Sequence, residues 1–91
     1  MKAVMFYDTG STLIEKFKEA YPRHKKIVDR FFDEKKIIGI GTFANISDGS
    51  MGIFYKKEYA EDFVKNDPFV LEGLVVKFVI REWNDSILPE Q

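Results

Sequence analysis

The sequence predicts an α+β fold of four strands and two main helices in the order β-α-β-β-α-β, with the helices on one face of an antiparallel sheet. Three observations lead there. Four short stretches are rich in β-branched and aromatic residues; two intervening stretches space apolar residues by three and four; and clusters of Gly, Asn, Asp and Pro separate them. The chain has 91 residues, 45% of them hydrophobic, which suits one compact core and leaves no room for a second. The reading is a single domain over 1–91, with a core at about 1–83 and a polar tail at 84–91.

Lys2 to Tyr7 reads as the first strand, stopped by Asp8-Thr9-Gly10-Ser11. Leu13, Ile14, Phe17 and Tyr21 have helical spacing, but Pro22 interrupts them, so 12–21 is expected to be a short helical approach segment. Pro22 then suits the first turn of a new helix over 22–36. Ile27, Val28, Phe31 and Phe32 form its apolar stripe, and Lys35 and Lys36 suit the negative end of its dipole. Ile37 to Phe43 and Ser50 to Lys56 make a hairpin around a turn at 45–49. A short helix over 58–65 places Tyr59 and Phe63 on one side, with Ala60 and Val64 beside them, and Asn66-Asp67-Pro68 ends it. Pro68 to Glu72 makes one further turn, stopped by Gly73, and Leu74 to Trp83 is the longest strand. This element order is the ferredoxin-like arrangement.

The strands also carry a message about assembly. Helices on one side of a sheet leave the other side to water, which predicts strict apolar–polar alternation. Instead Val4 and Phe6 oppose Ala3, Met5 and Tyr7 in the first strand, and Val75 and Val79 oppose Leu74, Val76, Phe78 and Ile80 in the last. Both faces are apolar, so the expectation is a homodimer formed through the open sheet face.

Composition removes several classes of function. The longest uncharged apolar stretches run to about seven residues, against roughly 20 for a membrane span, so no membrane partner is expected. The chain start reaches Asp8 too early for a signal-peptide core, and with no cysteine the expected location is cytoplasmic. A net charge of −1 offers no footprint for a nucleic acid, although lysine pairs stand at 25–26, 35–36 and 56–57. An RNA-recognition module shares the element order, but Ser50 to Tyr55 lacks the basic-Gly-aromatic pattern that its third strand needs. One histidine with scattered carboxylates does not make a zinc ligand set. Haem held by that histidine remains the one cofactor alternative to none.

Few residues can carry chemistry. His24, the one histidine, falls within the arc of Ile27, Val28 and Phe31 and points toward the sheet. It is either a buried histidine bonded to a backbone carbonyl or a general acid–base group at a pocket mouth, where a nearby helix N-terminus would favour the neutral ring. Asp67 is either the cap of the turn that Pro68 opens or the carboxylate that fixes the tautomer of His24. Ser50 either opens a strand or offers a hydroxyl to a ligand, and Asp8 either caps the next segment or joins a site.

Pro22-Arg23-His24, the Ile38 to Phe43 strand with its two glycines, Gly49-Ser50, and Asp67-Pro68-Phe69 followed by Gly73 together resemble the YciI-like (YCII-related) family. Val79-Ile80-Arg81-Glu82-Trp83 is similar to that family's last strand, and the likeness covers about 1–83. The resemblance implies a ferredoxin-like fold and a dimeric α+β barrel. It also implies a site with His24, Asp67 and Ser50, and acid–base chemistry of the lyase, dehydrochlorinase or isomerase kind on a small organic molecule or anion. The family often has Arg where this chain has Tyr21, and Pro where it has Thr42; Arg23, next to the histidine, is then the candidate for an anion. A non-catalytic homodimer that binds a small ligand is the alternative reading of the same pocket.

Overall fold

The computed structural model describes residues 1–90. Its elements are β1 (Lys2–Asp8), α1 (Ile14–Asp33), β2 (Ile37–Thr42), β3 (Ser50–Phe54), α2 (Lys57–Asn66), α3 (Pro68–Leu71) and β4 (Lys77–Trp83), with a 3-10 turn at Ile46–Asp48. The sheet order is β2-β3-β1-β4 and every neighbouring pair is antiparallel. β3 therefore lies between β1 and β2, and β1 between β3 and β4, which is the expected ferredoxin-like topology.

Side chains opposite one another in the ladder project from the same face of the sheet. On the helix-covered face Ala3 and Met5 are 0% exposed and Tyr7 is 3% exposed. They meet Phe31 of α1, Phe54 of β3, and Ala60, Phe63 and Val64 of α2. The Phe63 ring lies 5.3 Å from both the Phe31 and the Phe54 rings, so aromatic contacts knit the two helices to the sheet. Register sets out the floor of the site: Tyr7 is paired with Ser50 and with Phe78, and Ser50 with Thr42. One row, Thr42–Ser50–Tyr7–Phe78, thus crosses all four strands. Gly49 makes the start of β3 possible, since at φ 84 a Cβ there would collide with the Tyr7 carbonyl oxygen.

The largest departure from expectation concerns Pro22. α1 is one continuous helix with Pro22 inside it, where a segment over 12–21 followed by a helix over 22–36 was expected. Proline removes one helical hydrogen bond, but buried residues on both sides of it, Ala20 at 0% and Phe31 at 1% exposed, anchor the helix to the core. The helix also ends earlier, at Asp33, because Lys35 takes the left-handed conformation at φ 58; Arg30 is the basic residue of the last turn. β4 begins at Lys77 rather than Leu74, since the amides of Leu74 and Val75 are taken up by the Phe69 carbonyl as α3 closes. Val75 consequently packs against the core and does not reach the open face.

The open face carries Val4 and Phe6 of β1, Met51 and Ile53 of β3, and Val79 and Trp83 of β4, with Phe6 38% and Trp83 40% exposed. Lys2 shares this face yet is only 3% exposed, because its Nζ lies 3.2 Å from Asp85 of the segment after β4. Among the described residues no helix is long and apolar enough to cross a membrane.

Candidate functional site

Ile14, Phe17, Lys18, Tyr21, His24, Lys25 and Val28 recur every three or four residues, so they share one face of α1. That face walls a cavity of about 940 Å³. Tyr7, Ile40, Gly41, Thr42 and Ser50 of the sheet, Thr9, Gly10, Ser11 and Thr12 of the β1–α1 loop, Asn45–Ser47 and Gly49 of the β2–β3 loop, and Phe69 of α3 supply the other walls, with Asp29 of α1 at the edge.

His24 is 7% exposed, and its Nδ1 lies 2.7 Å from Asp67 Oδ1. Its ring stacks on Phe69, with centroids 3.9 Å apart and planes 6° from parallel, while Phe63 meets it edge-on at 6.1 Å. These contacts hold the imidazole in one plane.

Asp67 is wholly buried, and the chain around it explains how. Pro68 forces the preceding residue out of the helical region, so Asp67 is extended at φ −76 and ψ 120. It is at once the C-cap of α2 and the N-cap of α3. This corner turns the carboxylate inward. Oδ1 accepts the Phe69 backbone N–H at 3.1 Å, and Oδ2 accepts the Tyr7 hydroxyl at 2.8 Å. A carboxylate in a dry core is tolerated only when donors surround it, and the Phe69, Tyr7 and His24 donors do so.

Two consequences follow for protons. A carboxylate can only accept, so Nδ1 of His24 carries the hydrogen, and in the neutral ring Nε2 is the nitrogen with the lone pair. Among the described residues no buried side-chain nitrogen or oxygen lacks a partner, so the unpartnered Nε2 opens to the cavity that His24 lines. Burial first, then the Asp67 charge and the hydrogen bond to it, push the Tyr7 phenol far above its ordinary value of 10.0, so it stays a donor.

The sequence-derived candidates separate cleanly. His24 and Asp67 are in direct contact, and Ser50, the ladder partner of Tyr7, lines the same cavity. Asp8 is not among the lining residues; its carboxylate accepts the Gly10 N–H at 2.9 Å and shapes the turn after β1. Arg23 also lies outside the lining, where its guanidinium is forked between Glu19 and Glu72, with N–O distances of 2.8–3.1 Å. The helix N-terminus lies ten residues before His24, so its dipole does not act on the ring; Asp67 sets the tautomer instead. Tyr7 is the residue that sequence reasoning missed. Its signal was an inward register shared with Ala3 and Met5, which buries a hydroxyl that then needs a partner. Among the described residues no group of three or more His, Cys, Asp or Glu could hold a metal ion.

Fold and site together define an α+β protein of ferredoxin-like topology, with a Tyr–Asp–His network closing one wall of a ligand-sized cavity. Of solved structures, 5-chloro-2-hydroxyhydroquinone dehydrochlorinase (TftG) from Burkholderia phenoliruptrix, in complex with 2,5-dihydroxybenzoquinone, is similar over 94% of this chain and 96% of its own. The TM-score is 0.73 at 21% identity, a likeness of fold. At3g17210 from Arabidopsis thaliana is similar at a TM-score of 0.46 and 17% identity, over 97% of each chain. No family model and no curated protein matches the chain.

Proposed function

We propose that the protein is a metal-independent acid–base enzyme of YciI-like type acting on a small hydroxylated organic molecule, with His24 as the proton acceptor and Asp67 as its partner. One observation carries the reading: a histidine whose Nδ1 is held by a buried carboxylate and whose Nε2 opens to a cavity of about 940 Å³. In the step proposed, an acidic O–H or C–H of the substrate gives its proton to Nε2, and Asp67 balances the imidazolium that forms. The pair left on the substrate moves inward to form a new carbon–oxygen or carbon–carbon π bond as the bond to a leaving group breaks, and the leaving group, such as chloride, departs with the pair of that broken bond, so the net change is loss of HCl. Ser50 is the proposed donor to oxygen charge that develops in between. The dehydrochlorinase with the same fold, and its quinone ligand, support ring compounds of that kind as first substrates to try.

The test is chloride release from 5-chloro-2-hydroxyhydroquinone and related chlorinated hydroquinones by the protein and by His24→Ala. Turnover by the native chain and its loss in a variant with an unchanged fold support the proposal. Equal rates in both remove His24 from the chemistry, and tight binding without conversion favours the non-catalytic ligand-binding reading.

The same proposal includes a homodimer through the open sheet face, because Phe6, Met51, Ile53, Val79 and Trp83 there form an apolar surface that the helices cannot cover. Light scattering at micromolar concentration should give twice the chain mass; a monomer would remove the dimer. A chain without cysteine needs no oxidising compartment, which supports a cytoplasmic setting.

A further inference from the structure

We infer that the cavity takes an organic anion with a flat apolar body, and that Lys18 is the group that recognises its charge. The inference deepens the reading of the cavity as a binding site and rests on it. The argument is a charge inventory. Lys18, His24, Lys25 and Asp29 are the charged or titratable side chains at its walls besides Tyr7 and Tyr21. Lys25 is spent on Asp29, with N–O distances of 2.8 and 3.1 Å, and His24 on Asp67. Tyr7 stays a neutral donor to Asp67. Lys18 has no carboxylate partner among the described residues. Arg23, the cation that sequence position favoured, is neutralised by Glu19 and Glu72 away from the lining. One cation is therefore left over, and it lies at the opposite edge of the cavity-facing side of α1 from His24, six residues earlier and about 120° around the helix.

Helical rise puts those two positions about 9 Å apart along the axis, the span of one substituted ring. Between them stand Phe17 and Tyr21 on α1, with Phe69 beside His24. Phe17 meets Phe69 edge-on at 5.0 Å. A planar body on this aromatic wall would place one end at Nε2 and an anionic end at the Lys18 ammonium. An uncharged ligand of the same shape would leave that ammonium without a new partner.

The experiment compares two matched probes, 4-hydroxybenzoate and 4-hydroxybenzamide. Binding is followed by the ring signals of His24 in a proton–nitrogen correlation spectrum, which contains one histidine ring because the chain has one histidine. The native chain should bind the carboxylate about five- to tenfold more tightly than the amide, as a partly exposed charged hydrogen bond provides. Added salt should shrink that preference. Lys18→Met should bring the ratio close to one while leaving amide binding as it was, which also shows that the variant is folded. Amide and carboxylate binding equally to the native chain, or a preference that survives in Lys18→Met, overturns the role of Lys18 and leaves the cavity as a binding site. Neither probe moving the His24 signals overturns both readings.

Discussion

Arg23 and His24 are neighbours on α1, and each ties that helix to the segment after α2, yet they do different work. His24 reaches inward to Asp67 and both are buried; Arg23 reaches outward to Glu72 and Glu19 in water. Both arrangements look like ion pairs on paper. The inner one is surrounded by Tyr7, Phe63, Phe69 and the Phe69 amide, so each polar atom has a fixed partner except the Nε2 turned to the cavity. The outer one is screened by solvent and acts as a strap between α1 and the end of α3. A charged side chain becomes a candidate for chemistry when burial fixes its geometry and leaves one atom open, and charge pairing alone does not provide that.

The largest effect that separates the two pairs should come from Asp67→Ala. It strands the Tyr7 hydroxyl, the His24 Nδ1–H and the Phe69 N–H in the core, and should cost about 3–5 kcal/mol by denaturant unfolding. A loss as small as that of an exposed cap would show that the inner network is no stronger than the outer strap.

Tyr7→Phe should come next, at about 1–3 kcal/mol, since one buried carboxylate oxygen loses its donor. This variant also carries a pH signature. The folded phenol titrates above the 10.0 of the unfolded chain, so its contribution is complete below pH 10.0 and is lost as the unfolded state sheds its proton above it. Unfolding curves should therefore show a decline on the alkaline side in the native chain that is shallower in Tyr7→Phe. Identical alkaline limbs would contradict the buried hydrogen bond.

The smallest effect should come from Arg23→Ala, visible as a modest fall in melting temperature. Hydrogen bonds to Arg23 lower the titration of Glu72 and Glu19, so their contribution is present above the ordinary 4.5 and fades as pH falls through the folded values. The variant should lose that acid-side dependence and leave cavity binding unchanged.

Much of this was legible in the sequence, and the exceptions have physical causes. The run of strand-forming residues in Lys2–Asp8, the turn at Gly49 and the corner at Asp67-Pro68 are local signals, and local chemistry wrote them correctly. The pairing of His24 with Asp67 was available as a possibility because a capping aspartate and an inward histidine are each readable. Their contact spans 43 residues, which periodicity does not see. Pro22 misled because a helix-breaking residue is a local cost, while the packing of Ala20, His24 and Phe31 that outweighs it is tertiary. Arg23 gives way to Lys18 as the proposed anion-recognising group for a similar reason. Both are exposed cations five residues apart, and only the fold reveals that Glu72 comes round to meet the first.

The account rests on His24 presenting an open Nε2 because Asp67 holds its Nδ1–H. A long-range proton–nitrogen correlation spectrum of the histidine ring, recorded where the imidazole is neutral, reads this directly. The account predicts a protonated Nδ1 and a bare Nε2; a proton on Nε2 with a bare Nδ1 would contradict it.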